Sequence, residues 1–239
     1  MLSPEMTEIL RSLHMNAGAG LSASCVSVIG MDYIVVSLAV EGQITEQLWS
    51  SSEIGASFED MQFTLGEGPG PDALRTGQAA LEHDMAVING DRWPALGPAM
   101  ADLPIRAVFC LPLAIGGITV GVLTALRASP GHMSGQQMED ALGLAAALTL
   151  QFLGGSGARL EEWVDAQPDG ELHRAVVHQA TGMLSVQLEL PLAKALLRLR
   201  AYAYSNDRSI IHAAEDVVAR RLRLDDGGPE PEAAKETRG

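Results

Sequence analysis

The 239-residue sequence predicts an α+β protein in which an antiparallel-sheet domain is followed by an all-α three-helix bundle. Three observations carry that prediction. Runs rich in β-branched residues, separated by glycine-containing turns, fill residues 22–52 and 107–126. After Gly154-Gly155 the texture changes, and residues 170–224 show only 3.6-residue periodicity. The length exceeds the ~150 residues expected of one domain, so two units fit it.

The elements follow in order. Ser3-Pro4 suits an N-cap and first turn, and Met6, Ile9, Leu10 and Leu13 share one face, so a helix is expected over about 3–16. SASCVSVIG, YIVVSLAV and ITEQLWSSS read as three antiparallel strands, joined by Gly30-Met31-Asp32 and Glu41-Gly42-Gln43. Short helices near Ile54–Asp60 and Gly70–Arg75 and a brief strand near Ala79–Glu82 come next. Gly116-Gly117 can supply a two-residue turn, so AVFCLPLAI and ITVGVLTAL form a hairpin. A helix over about 134–152, capped by Ser134 and stopped by Gly154-Gly155, closes this unit at residue 155.

Residues 156–169 are expected to be a linker with a short helical connector around 160–164. In the bundle, spanning 170–224, the apolar stripes are Leu172/Val176/Ala180/Met183/Leu184, Leu192/Leu196/Leu199/Ala203 and Ile210/Ala214/Val217/Leu222. Leu190-Pro191 and Ser205-Asn206-Asp207 break the helices. Residues 225–239 lack large apolar side chains and read as a disordered acidic tail.

Hydrophobic residues make up 47% and aromatics 4%, so the core must come from Ala, Val, Leu and Ile, and wholesale disorder is excluded. The net charge of −14 argues against nucleic-acid binding until it is divided along the chain. Residues 1–170 carry −14, residues 171–224 carry +3 and the tail −3, which marks the bundle as a separate nucleic-acid or partner-binding module. Cys25 and Cys110 each lie in an apolar run and read as buried free thiols. With no signal peptide and no apolar stretch long enough to span a bilayer, a cytoplasmic protein with no membrane partner is expected.

The segments HQATGMLSVQL, ALLRLRAYA and AAEDVVARRL resemble, in order, the ANTAR domain, a three-helix RNA-binding module of bacterial transcription antiterminators. The match is carried by Gln179, Ala180, Gly182, Met183 and Leu184, then by Ala195, Leu199, Arg200 and Ala203, then by Ala214, Val217 and Val218. Residues 1–155 are similar to a GAF domain, a small-molecule sensor fold, through FTLGEGPGPDALRTGQ and the RAVFCLPLAIGGITVGVL hairpin. The pair occurs together in actinobacterial-type antitermination regulators. Two positions depart from the family pattern. Thr181 stands where many ANTAR sequences have Lys, and Gly70 stands where related GAF-ANTAR proteins often have Cys, which excludes thiol-based sensing at that position.

The resemblance implies a regulator whose GAF input controls an ANTAR output that binds paired RNA hairpins and promotes antitermination. RNA loops offer phosphates to Arg and unstacked bases to polar side chains. Arg174, His178, Thr181 and Ser185 recur at helical spacing on one face, and with Gln179, Arg198 and Arg200 they form the expected RNA surface. Paired sites on the RNA favour a homodimer, which gains effective concentration. In the sensor, Trp49, Phe63 and Trp93 are the aromatic candidates to line a ligand pocket, the ligand being unknown. The alternative is a signalling adaptor whose bundle dimerises or docks a protein without binding RNA.

Enzyme chemistry finds no support. Gly66-Glu67-Gly68-Pro69-Gly70 lacks the Gly-Lys-Ser/Thr ending of a phosphate loop, Pro69 removes a donor, and a structural turn is expected. The six histidines contain no HExxH and no i, i+4 pair, and His83-Asp84 has no nucleophile with a recognisable motif, so no catalytic or metal-binding residue is assigned.

Overall fold

The computed structural model describes residues 1–16, 23–40, 43–154, 174–206 and 208–224. The expected connector around 160–164, the linker 156–169 and the tail 225–239 lie outside the described residues. Helix α1 (Pro4–Asn16) begins where Ser3 Oγ accepts the Met6 amide at 3.1 Å, and it buries Met6, Ile9 and Leu13.

The first expected strand is instead a helix, α2 (Ala23–Ile29). Cys25, Val26 and Ile29 recur at helical spacing, and all three are buried in one apolar cluster. Their small and β-branched neighbours mimicked a strand, but packing outweighs propensity here. Two strands therefore open the sheet, β1 (Tyr33–Val40) and β2 (Gln43–Ser50). Next come α3 (Glu53–Leu65), longer than the sequence suggested, then α4 (Pro69–Thr76), β3 (Ala80–Glu82) and the short α5 (Leu96–Ala99).

The expected hairpin forms β4 (Ala107–Ile115) and β5 (Ile118–Arg127), with Gly116 at φ 59° in the turn. Helix α6 (Gly135–Gly154) starts with a reciprocal cap in which Gln137 N donates to Ser134 Oγ and Ser134 N donates to Gln137 Oε1. The sheet order is β2-β1-β5-β4-β3, and every pair is antiparallel.

Alternation along the strands divides the sheet into two faces. One presents Ile34, Val36, Phe109, Leu111, Leu123 and Ala125 to α1, α2 and α6, which contribute Met6, Leu13, Ile29, Leu144 and Leu148. The other presents Val35, Ser37, Cys110 and Thr124 and is covered by α3 and α4.

Contacts divide the chain into Met1–Arg174 and Ala175–Gly239. The second unit holds α7 (Ala175–Gln187), α8 (Leu192–Ser205) and α9 (Ile210–Val218). Its core is made of Val177, Ala180 and Leu184 from α7, Ala195, Leu199 and Ala203 from α8, and Ile210, Ala213, Ala214 and Val217 from α9. The helical stripes are thus rotated slightly from the sequence reading. Val177 replaces Val176 in the buried set, and Leu192 is exposed.

Candidate functional site

Helix α3 is set by its ends. Ser52 Oγ accepts the Gly55 amide at 3.1 Å, and Gly66 stops the helix in the left-handed conformation. Pro69 then opens α4 from Gly68 at φ 134°. A Cβ on Gly68 would lie 2.5 Å from Gln62 Oε1, so the chain there can approach Gln62 only as glycine. The glycine-rich stretch is therefore the turn between α3 and α4.

This turn fixes a polar cluster inside the sensor unit. Gln62 Oε1 accepts the Gly70 amide at 2.8 Å, and Gln62 Nε2 donates to Glu59 Oε2 at 3.0 Å. Glu59 and Gln62 are both fully buried. Burial pushes the Glu59 carboxyl above its ordinary range, while the positive charge of Arg174 pulls the other way. Arg174, also fully buried, donates from Nη2 to Asp60 Oδ1 at 2.8 Å. Its guanidinium carbon lies 4.0 Å from the centre of the Phe63 ring, and its backbone amide donates to both carboxylate oxygens of Glu46 at 3.0 Å.

The three aromatic candidates part company. Phe63 lies in this cluster. Trp49 does not, because it packs on the opposite, apolar face with α1, α2 and α6. Its register partner Val36 belongs to that face, so the alternation of β1 takes Trp49 away from α3. Trp93 is buried in the loop before α5, beneath the Arg92 guanidinium at 4.2 Å.

Asp84 is occupied structurally. It takes hydrogen bonds from the Ala86 amide and from Arg106, which hold its carboxyl below the ordinary range. His83 stacks on His132 at 3.7 Å between ring centres, and the described residues contain no group of three or more potential metal ligands. Burial raises the Cys110 thiol, whose Sγ lies 3.6 Å from Thr124 Oγ1, so it is not a poised thiolate.

In the helical unit the expected RNA face is corrected at two positions. Arg174 precedes α7 and belongs by its contacts to the first unit, so it presents no charge on the bundle surface. Thr181 sits in the buried stripe of α7, where its hydroxyl donates to the Val177 carbonyl at 2.7 Å. His178 and Gln179 are exposed, and Arg198 and Arg200 are half-exposed. Ser185 is half-buried and donates to the Leu190 carbonyl at 2.6 Å.

A groove of about 820 Å³, which the sequence did not disclose, lies between α7 and the C-terminal end of α9. Gln179, Gly182, Val186, Arg220 and Arg223 are among its lining residues. Arg220 enters it with φ at 59°, just after α9, while Arg221 is tied back to Asp216 at 2.7 Å. A Cβ on Gly182 would meet nothing within 4 Å. No packing inside the unit therefore demands the glycine, which costs a helix ~1 kcal/mol.

The five-stranded antiparallel sheet with helices on both faces is that of a GAF fold, and the GAF domain family matches residues 21–152. The chain belongs to the GAF domain family. The match ends before α7. Among solved structures the chain is similar to the GAF domain of an Acinetobacter phosphoenolpyruvate-protein phosphotransferase, at 11% identity and a TM-score of 0.48, covering 63% of this chain and 95% of that one. The corresponding domain from Coxiella burnetii gives 15% identity and a TM-score of 0.47, with 64% and 96% covered. A GAF domain from Synechocystis, in its photoproduct state, gives 14% and 0.43, with 65% and 96% covered. No curated protein matches the chain. Among the described residues no helix is long and apolar enough to cross a membrane.

Proposed function

We propose that the chain is a cytoplasmic, signal-responsive transcription regulator, with no catalytic step of its own. Its GAF unit senses a small molecule, and α7–α9 bind paired RNA hairpins as a homodimer and promote antitermination. The observation that carries the output half is the groove between α7 and the end of α9. Gln179 and Gly182, two residues of the ANTAR-like segment, line an open groove beside Arg220 and Arg223. A bare glycine backbone next to arginine and amide side chains suits close approach of a phosphodiester chain or a splayed base. Crosslinking the protein to RNA in cells and sequencing the recovered RNA tests this reading. Leader segments with two adjacent hairpins are expected to be enriched, and recovery of no enriched hairpins overturns it.

The adaptor reading draws on one observation of its own. Met183, Val186 and Leu222 add apolar surface to the same groove, as a protein partner would require. Recovery of a bound protein at this groove, together with no RNA, would favour it.

A further inference from the structure

Arg174 is the largest fully buried side chain among the described residues. A protein interior holds an arginine well only when its charge is paired and its donors are met. Here the Asp60 hydrogen bond and the Phe63 ring hold one side of the guanidinium, while Nε and Nη1 have no hydrogen-bond partner. Glu59, beside it, is fully buried, with Gln62 and Ser37 as its hydrogen-bonding neighbours. The two arginine donors have lost their water without gaining a hydrogen bond. Two carboxyl groups, of Asp60 and Glu59, face this cation, a third, of Glu46, holds its backbone amide, and the aromatic face beneath it suits cations generally. The cluster is thus built for a cation, yet the arginine that fills it satisfies it only in part.

Building on the reading of the GAF unit as the sensor, we infer that Arg174 is a tethered occupant of the ligand site. The site takes a small molecule ending in a guanidinium or primary ammonium group, which competes with Arg174 for Asp60, Glu59 and the face of Phe63. The competition has a built-in output. Arg174 is followed at once by Ala175, the first residue of α7, so evicting its side chain leaves that point of the chain held to the sensor unit only by the bonds from its backbone amide to Glu46. Tethering also sets the affinity. A resident side chain competes at high effective concentration, so the intact protein binds its ligand more weakly than the emptied site would.

Calorimetry on the full chain tests this with ethylguanidine, which reproduces the arginine side chain beyond Cβ, and with ethylurea, its neutral counterpart. Arg174→Ala is expected to bind ethylguanidine at least tenfold more tightly than the unsubstituted protein does, and at least tenfold more tightly than it binds ethylurea. Adding Asp60→Asn should remove that preference. A second measurement does not depend on how the variant folds. In protein labelled with ¹⁵N-arginine, the buried Arg174 Nε–H resonance should move to the position of exposed arginines as ethylguanidine saturates.

The inference is overturned if Arg174→Ala binds neither compound, if it does not distinguish them, or if its affinity equals that of the unsubstituted protein. It is also overturned if the Arg174 resonance stays in place at saturation. Binding of two-hairpin RNA, measured in parallel, separates the two proposals. RNA binding without ethylguanidine competition removes the tethered-ligand inference alone, and competition without RNA binding removes the RNA reading alone.

Discussion

The two units of this chain place their polar groups in opposite ways. In Met1–Arg174 a polar cluster lies inside, where Glu59, Gln62 and Arg174 are shut away from water between α3 and the sheet. In the helical unit the interior is made of small and branched apolar side chains apart from Thr181, while Gln179, Arg220 and Arg223 line an open groove. An enclosed polar cluster selects by complete desolvation, so it suits a small molecule. An open surface that combines arginine and amide groups with apolar side chains selects by shape as well as charge, so it suits a macromolecule. On the functions proposed above, one chain carries two kinds of recognition, and charge summed over its whole length hides both.

The contrast can be broken by substitutions of decreasing effect. Leu199→Ala strikes a fully buried position in the small apolar core and should cost about 2–5 kcal/mol, read as an earlier unfolding transition of the helical unit in urea. A loss below about 1 kcal/mol would mean that this core is not close-packed. Arg174→Ala should cost the sensor unit only about 1–3 kcal/mol, because it removes one hydrogen-bonded pair and the stacking on Phe63 while relieving two unpartnered donors.

Gly182→Ala should go the other way. With open space around the new Cβ it should stabilise the helical unit by about 0.5–1 kcal/mol. On the RNA reading the same variant should bind two-hairpin RNA more weakly, so that stability and affinity move in opposite directions. A rise in both would show that nothing needs the glycine for approach.

The smallest effect concerns pH. Burial raises the folded pKa of Glu59, so its contribution to stability is fully present below its ordinary carboxylate range. That contribution is lost as pH rises through the raised value. Denaturant titrations at several pH values from about 4 to 7 should therefore show Glu59→Gln gaining on the unsubstituted protein as pH rises. A constant difference would place the Glu59 carboxyl in a solvated setting.

Much of this arrangement was legible in the sequence where local chemistry decides it. The Gly116-Gly117 hairpin, the Ser3-Pro4 start of α1, the Ser134 cap of α6 and the turn at Gly66–Gly70 each depend on a few neighbouring residues. Ala23–Ile29 is ambiguous in the sequence, because seven residues contain too few helical periods to separate Cys25/Val26/Ile29 spacing from alternation. Extending the period of α7 backwards puts Arg174 on a helix face. Its partner Asp60 lies 114 residues away, and no local pattern announces such a contact. Thr181 shares helical spacing with His178 and Ser185, which points it outward, yet its hydroxyl is satisfied by the helix backbone and leaves the side chain free to be buried. Trp49 followed from aromatic type alone, whereas its face is set by the register of β2 on β1, irregular between Val36 and Ser37.

The outward chemistry of the helical unit carries the regulatory claim, and a gel-shift titration of the full chain tests it most directly. Two-hairpin and single-hairpin RNA would be compared at about 50 and 200 mM salt, with Arg200→Ala alongside. The account predicts that the two-hairpin RNA binds at least tenfold more tightly, that affinity falls steeply with salt, and that Arg200→Ala weakens it. Equal affinity for the two RNAs, with no dependence on salt or on Arg200, would contradict it.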